Sequence, residues 1–310
     1  MKDTFLIQGY VVGVDLGGSN VRALLADGSG GTVVERADAT VPGDAGAVVA
    51  QVVELCRGLA AEGGVGWERI AGAAVGVPGV AHRGMLRFAP NLPPFGDVDL
   101  GGALAEELGV DVAVDNDANV ATLAEARRGR GVGLADFVFI AVGTGIGMGI
   151  VAGGRLQRGA HGAAGEIGAL PLGADPFEPA NHVHGALEEV AAGVGVARRY
   201  AERSGAGGMT ALDVYEAAAA GDAAAVAVLE EQAEAVALAT VAVQSVLDPE
   251  LVVFGGGIGS RPDFLERVRS IVPRLTRRPP ALAASALGER AGAIGAAELA
   301  LARANGGGDA

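Results

Sequence analysis

The chain opens on apolar runs that turn back at glycines. Residues 10–15 (YVVGVD) form a short β-branched run that ends at Gly17 and Gly18, and residues 21–26 (VRALLA) resume it. This pattern predicts a β-hairpin whose glycines supply the turn geometry. A third strand is expected over 32–39. Apolar residues at helical spacing over 45–62, with Gln51, Glu54 and Arg57 between them, predict a helix. A buried strand over 70–77 closes at Pro78-Gly79, and 91–96 (NLPPFG) reads as a rigid loop. A helix over 100–108 stopped at Gly109, a short strand over 110–114 and a helix over 117–129 follow.

The second half repeats the theme. Residues 137–142 and 149–152 predict a second glycine-linked hairpin, and 155–178 reads as irregular. Helices are expected over 186–200 and 223–247. Asp248-Pro249 stops the longer one, because proline cannot continue a helix and restricts the residue before it. A buried strand over 251–254 runs into Gly255-Gly256-Gly257, a closing helix covers 291–303, and GGGDA is a frayed tail. A hairpin followed by mixed βα thus occurs twice. That weak internal duplication favours an α/β fold with two related lobes.

Composition narrows the function classes. With 310 residues, two domains are the prior. The single cysteine, Cys56, excludes an intrachain disulfide framework and a multi-cysteine zinc site. A net charge of −14 argues against sequence-independent nucleic-acid binding and against a basic membrane-surface patch. Lys2 is the only lysine. The uncharged stretch 137–154 alternates apolar residues with glycine and reads as strand and turn, not as a bilayer span. The N-terminus reads as a tail leading into a strand, not as a signal peptide. A soluble cytoplasmic protein is therefore expected.

Three glycine clusters follow strands: DLGGSN at 15–20, GTGIG at 143–147 and GGGIG at 255–259. Successive backbone N–H groups in such turns suit phosphate oxygens, and Ser19, Asn20 and Thr144 add side-chain donors. Each cluster taken singly also reads as a plain tight turn. VDNDAN at 114–119 places polar groups at a strand-to-helix junction. They read either as helix caps or as a carboxylate base beside an orienting amide. Glu166 in GAAGEIG reads as a ligand contact among small residues or as a solvated turn. Glu188 and Glu189 start a helix, where acids also favour the dipole.

Together these segments resemble the ROK family of sugar kinases and sugar-responsive repressors, within the actin/hexokinase superfamily. DLGGSNVRALLAD resembles the first phosphate motif and VDNDANVATLAEARRG the catalytic motif. VGTGIGMGIVAGGRLQRGAHGAAGEIG resembles the second phosphate motif running into the sugar loop, and LVVFGGGIG the segment beside the adenosine. The resemblance implies an α/β, two-lobed, ribonuclease H-like fold with the active site in the interdomain cleft. Its lobes would be 1–116 with 292–310, and 117–291. The implied activity is ATP- and Mg²⁺-dependent phosphorylation of a hexose, glucose to glucose 6-phosphate. The implied homodimer binds no nucleic acid and no membrane.

By the same resemblance Asp117 is the general base, and Gly79, Asn91, Asn116, Glu166 and Glu188 contact the sugar. Gly17, Gly18, Ser19, Asn20, Gly143, Thr144 and Gly145 flank the phosphates. Asp15 lies near magnesium, and Gly256 and Gly257 flank the adenosine. Departures from the pattern carry information too. Ala169 stands where GEIGH has histidine, and 170–189 contains no cysteine, so no structural zinc is expected. His182 and His184, with Asp175 or Glu178, are an alternative metal set. The competing readings are a sugar-binding sensor without turnover, a kinase for fructose, mannose or an N-acetylated amino sugar, and an actin-type structural protein. The phosphoryl donor is ATP or polyphosphate.

Overall fold

A computed structural model describes residues 9–82, 85–87, 92 and 98–306. The first half contains β1 (Tyr10–Leu16), β2 (Asn20–Asp27), β3 (Thr32–Ala39), α1 (Ala45–Glu62), β4 (Ile70–Val77), β5 (Val80–His82), β6 (Met85–Arg87), α2 (Leu100–Leu108), β7 (Val112–Asn116) and α3 (Asp117–Arg128). The second half continues with β8 (Phe137–Val142), β9 (Ile146–Ala152), β10 (Arg155–Leu156), α4 (Glu188–Ala191), α5 (Gly193–Ser204), α6 (Ala211–Ala219) and α7 (Ala223–Leu247). It closes with β11 (Leu251–Gly255), α8 (Gly256–Gly259), α9 (Pro262–Leu275), β12 (Leu282–Ala284) and α10 (Ala291–Ala304).

Two compact units result. The first holds Met1–Val132, Arg155–Ala164 and Arg290–Ala310. Its five-stranded sheet has the order β3-β2-β1-β4-β7; β1, β2 and β3 are antiparallel neighbours, whereas β1, β4 and β7 run parallel. Val12, Val14, Leu16, Val21, Ala23 and Leu25 form a buried cluster with Val48, Val52 and Leu59 of α1 and Leu100 and Leu104 of α2. Asp44 and Asp99 cap α1 and α2, and Gly109 ends α2 in the left-handed conformation at φ 70°. Trp67, the only tryptophan, donates its indole N–H to the Leu108 carbonyl at 2.8 Å.

Helix α10 packs on β1, β4 and α3, and glycine makes the approach close. A Cβ on Gly13 would run into the Ala293 carbonyl, and one on Gly295 would run into the Val120 carbonyl of α3. Through that crossing α3 belongs to the first unit, whose first segment runs to Val132.

The second unit holds Gly133–Gly154 and Gly165–Glu289. Its strands lie in the order β9-β8-β11-β12, with β8 and β9 antiparallel and β8, β11 and β12 parallel. The hairpin-then-parallel plan of the first unit thus recurs, as the duplicated pattern predicts. Val138, Ile140 and Val142 of β8 pack with Phe254 of β11, Val228 and Val236 of α7, and Phe264 and Val268 of α9. The Phe254 and Phe264 rings meet edge to face with centroids 5.8 Å apart.

Some expectations shift. The strand expected over 110–114 lies at Val112–Asn116, so Asn116 ends it and caps the next helix. The helix expected over 186–200 is two helices, broken at an extended Ala192 (φ −81°, ψ 159°). The break lets the Gly193 N–H donate to the Gly143 carbonyl at 2.8 Å. Helices α6 and α9 and strand β12 lie where no element is expected. Stretch 137–154 is strands β8 and β9 with their turns, and no helix of the described residues is long and apolar enough to cross a membrane.

Candidate active site

In the first unit the carboxyl ends of three parallel strands come into register. Asp15 on β1 pairs with Gly76 on β4, Gly76 pairs with Asp115 on β7, and Val77 pairs with Asn116. Open parallel sheets bind ligands at this edge. Asn116 caps α3: its Oδ1 accepts the N–H groups of Ala118 at 2.9 Å and Asn119 at 3.2 Å. Its Nδ2 donates to the Gly79 carbonyl at 2.9 Å, which fixes a turn with φ 90° at Gly79. The cap reading of VDNDAN therefore holds for Asn116, and the same amide clamps a second predicted site residue. Asp117 is the first residue of α3, and its Oδ1 accepts the Ala118 N–H at 2.7 Å.

The Gly17–Asn20 turn is closed by the Gly17 N–H on the Asn20 carbonyl at 2.9 Å. Thr40 braces it, with Oγ1 on the Gly17 carbonyl at 2.6 Å and its N–H on Ser19 O at 3.0 Å. Gly18, Ser19 and Asn20 are exposed. Asp15 lies against Gly292 of α10, where a Cβ would strike the Asp15 carboxyl. Burial pushes the Asp15 carboxyl up to about 6, with Arg22 pulling the other way. A desolvated carboxylate beside an exposed glycine turn is a hard oxygen donor, and it fits a magnesium ion.

The second unit joins the other predicted turns. Gly143 donates to the Gly145 carbonyl at 2.9 Å, and a Cβ on Gly143 would lie 3.9 Å from the Gly257 nitrogen. Gly256 has φ 78°, and a Cβ there would lie 2.5 Å from the Val142 carbonyl oxygen, so the backbone itself demands glycine. Gly143, Thr144, Gly145, Gly256 and Gly257 are thus neighbours. Glu188 reaches the same turn: its Oε2 accepts the Ile146 N–H at 2.9 Å. Glu166 follows Gly165 (φ 94°), which packs so tightly on Met148 that a Cβ would run into the Met148 carbonyl.

Desolvation and the facing Glu188 charge hold the Glu166 carboxyl above its ordinary range. Glu188 is also raised, chiefly by burial, against the pull of the Ile146 N–H and His184. His184 Nδ1 stands 3.8 Å from Glu188 Oε1. Each pair member therefore has a stated physical reason to be perturbed, a feature common at functional sites.

The segment that lacks cysteines is closed by hydrogen bonds. Asp175 Oδ1 accepts the Phe177 N–H and its carbonyl accepts Asn181 Nδ2, both at 2.9 Å. His182 Nε2 lies 2.8 Å from the Pro176 carbonyl. Among the described residues no three of His, Cys, Asp and Glu are grouped to hold a metal, so the alternative set around His182 and His184 is not assembled. Asn91 lies outside the described residues; Leu92 beside it is buried in the first core.

Asp115, Arg158 and Gly193 are absent from the predicted site residues, and His184 is expected only in the alternative metal set. Asp115 sits inside VDNDAN, and Arg158, three residues after Arg155 in a glycine-rich stretch, donates its Nε to Asp115 Oδ2. Their pairing is tertiary and leaves no local pattern.

Each unit is α/β with a glycine turn between the two strands of its hairpin, and in the first unit a carboxylate opens α3. The ROK family model matches residues 11–303, and the chain belongs to the ROK family. The bifunctional enzyme NanE/NanK of Brucella melitensis is 35% identical over 94% of this chain and 54% of that one. The chain thus spans about half the length of that curated relative. The glucokinase of Halalkalibacterium halodurans is 32% identical over 83% of this chain and 82% of its own. Among solved structures, a ROK family glucokinase from Streptomyces griseus in complex with glucose and AMPPNP is 29% identical, with a TM-score of 0.79 over 94% of this chain and 99% of that one.

Proposed function

We propose that this protein is an ATP-dependent sugar kinase that phosphorylates glucose to glucose 6-phosphate. The observation that carries the reading is the strand-to-helix junction, where Asn116 clamps the Gly79 turn and Asp117 opens α3. The glucose and AMPPNP held by the Streptomyces griseus structure support the substrate pair.

In this reading Asn116, Glu166 and Glu188 hold the sugar hydroxyls. Asp117 accepts the proton of the C6 hydroxyl, whose oxygen attacks the γ-phosphorus. The bond from phosphorus to the β,γ-bridging oxygen breaks, and ADP leaves with its electrons. Gly17, Gly18, Thr144 and Gly145 offer backbone N–H groups to the phosphates. Asp15 would hold a magnesium ion, which would supply charge neutralisation to the phosphates. Phosphoryl transfer needs little beyond such positioning and charge.

ADP release with Mg-ATP and a sugar panel, on chelator-treated protein, tests the reading. Glucose-dependent release is expected. The panel includes fructose, mannose and N-acetylated amino sugars, the alternative substrates that the sequence leaves open. A sensor without turnover is the second reading, favoured by Ala169 in place of the GEIGH histidine. Calorimetric sugar binding with no ADP release from any sugar would select it.

A further inference from the structure

The side chain of Asp115 is 5% exposed and that of Arg158 24% exposed, and Arg158 Nε donates to Asp115 Oδ2 at 2.7 Å. The other oxygen, Oδ1, receives the Asn116 N–H at 2.8 Å and Asn119 Nδ2 at 2.9 Å. Asn119 is itself buried, and its Oδ1 has no hydrogen-bond partner, so Asp115 sets the orientation of that amide. One carboxylate therefore grips the chain on both sides of Asp117: at Asn116 just before it, and at Asn119 in the first turn of α3.

A buried carboxylate keeps its charge only while that charge is compensated. Without Arg158, the Asp115 carboxylate loses its buried counter-charge and is drawn toward water. That movement weakens its two N–H acceptor contacts and loosens the junction that carries Asp117.

We propose that Arg158 is a positioning residue for phosphoryl transfer, acting through Asp115 on the Asn116–Asp117 junction. The proposal rests on the reading of Asp117 as the general base. Arg158 needs no contact with the sugar for this role. Its removal slows the reacting step more than it weakens sugar binding, since misplacing a reacting group by ~1 Å costs about 10²-fold in rate.

The test is initial-rate kinetics on Arg158→Met, Arg158→Lys, Asp115→Asn and Asp117→Asn, with melting temperatures measured in parallel. Arg158→Met is expected to lower kcat by about 10- to 100-fold, with a smaller rise in the sugar KM through Asn116. Arg158→Lys keeps the charge without the guanidinium geometry and recovers part of the loss. The double variant Asp115→Asn/Arg158→Met turns over no more slowly than the slower single variant, because the two residues act as a unit.

Multiplicative losses in the double variant overturn the proposal. So does a wild-type kcat in Arg158→Met when Asp117→Asn is inactive, and that result leaves the base assignment standing. Wild-type turnover in Asp117→Asn overturns the base assignment and this inference with it. If Arg158→Met does not fold, Arg158→Lys and Asp115→Asn carry the test: a kcat lowered by a larger factor than the sugar KM is raised supports the role, and wild-type kcat in both overturns it.

Discussion

Glu188 accepts the Ile146 N–H through Oε2 at 2.9 Å, so a carboxylate at the start of α4 is bonded to the backbone of the 143–147 glycine turn. A Cβ on Gly145 would lie 3.0 Å from that same oxygen. The residue assigned to the sugar and the turn assigned to the phosphates are one hydrogen-bonded piece. Glu188→Ala is therefore expected to raise the KM of both sugar and ATP, the sugar by about tenfold or more, since a charged hydrogen bond contributes about 1.5–3 kcal/mol. Glu188→Gln keeps an acceptor for Ile146 and spares the ATP KM. An unchanged ATP KM in Glu188→Ala would separate the turn from the carboxylate.

Asp117 begins α3 and holds the Ala118 N–H at 2.7 Å. An asparagine keeps that acceptor and loses the base. Asp117→Asn is expected to lower kcat by about 10²- to 10⁴-fold, the usual share of a general base, with little change in melting temperature. Turnover assays beside thermal melts check it, and near-normal turnover removes Asp117 from the role.

Asp15 gives the fold a pH signature. Folded, its carboxyl titrates at about 6; its ordinary value is 3.8. Between those values the folded chain binds more protons at this group than the unfolded chain does. The contribution of Asp15 to stability thus falls as pH rises through this window and stays level above it. Asp15→Asn removes the effect, so it gains on the wild type from acid to neutral pH. Urea midpoints of the two proteins across that range are the measurement; parallel curves would mean that Asp15 is not desolvated.

Gly165 precedes Glu166 at φ 94°, against the Met148 carbonyl. Gly165→Ala combines left-handed strain with a backbone collision. It is expected to cost about 1–3 kcal/mol and to raise the sugar KM by displacing Glu166. Chemical denaturation and sugar titration check the two effects together. A stable variant with wild-type sugar KM would show that the loop relaxes without moving the carboxylate.

Hydrogen bonds at Asp175, Asn181 and His182 close the cysteine-free loop. Treatment with a zinc chelator is expected to leave the melting temperature unchanged, and magnesium alone restores full activity. A drop on chelation that zinc reverses would place a metal in this loop.

Much of this architecture was legible in the chain. The bounds of α1, α2, α7 and β4 follow from apolar spacing and from stops such as Gly109. Motifs located the glycine turns and the Asn116–Asp117 junction because those depend on local backbone chemistry. The break at Ala192 was not legible, since it serves the Gly193 bond to a turn 50 residues earlier. Nor was the Arg158–Asp115 pair, which joins residues 43 apart in sequence. Such features arise from tertiary contact, and periodicity within one segment carries no trace of them.

Trp67 lies in the first unit, bonded to the Leu108 carbonyl, and the second unit contains no tryptophan. Indole emission during denaturation therefore follows one half of the molecule, while far-ultraviolet circular dichroism follows both. Superimposable curves from the two probes mean that both halves come apart in one cooperative step; an emission change that precedes or trails the dichroism gives each half its own stability, without cutting the chain.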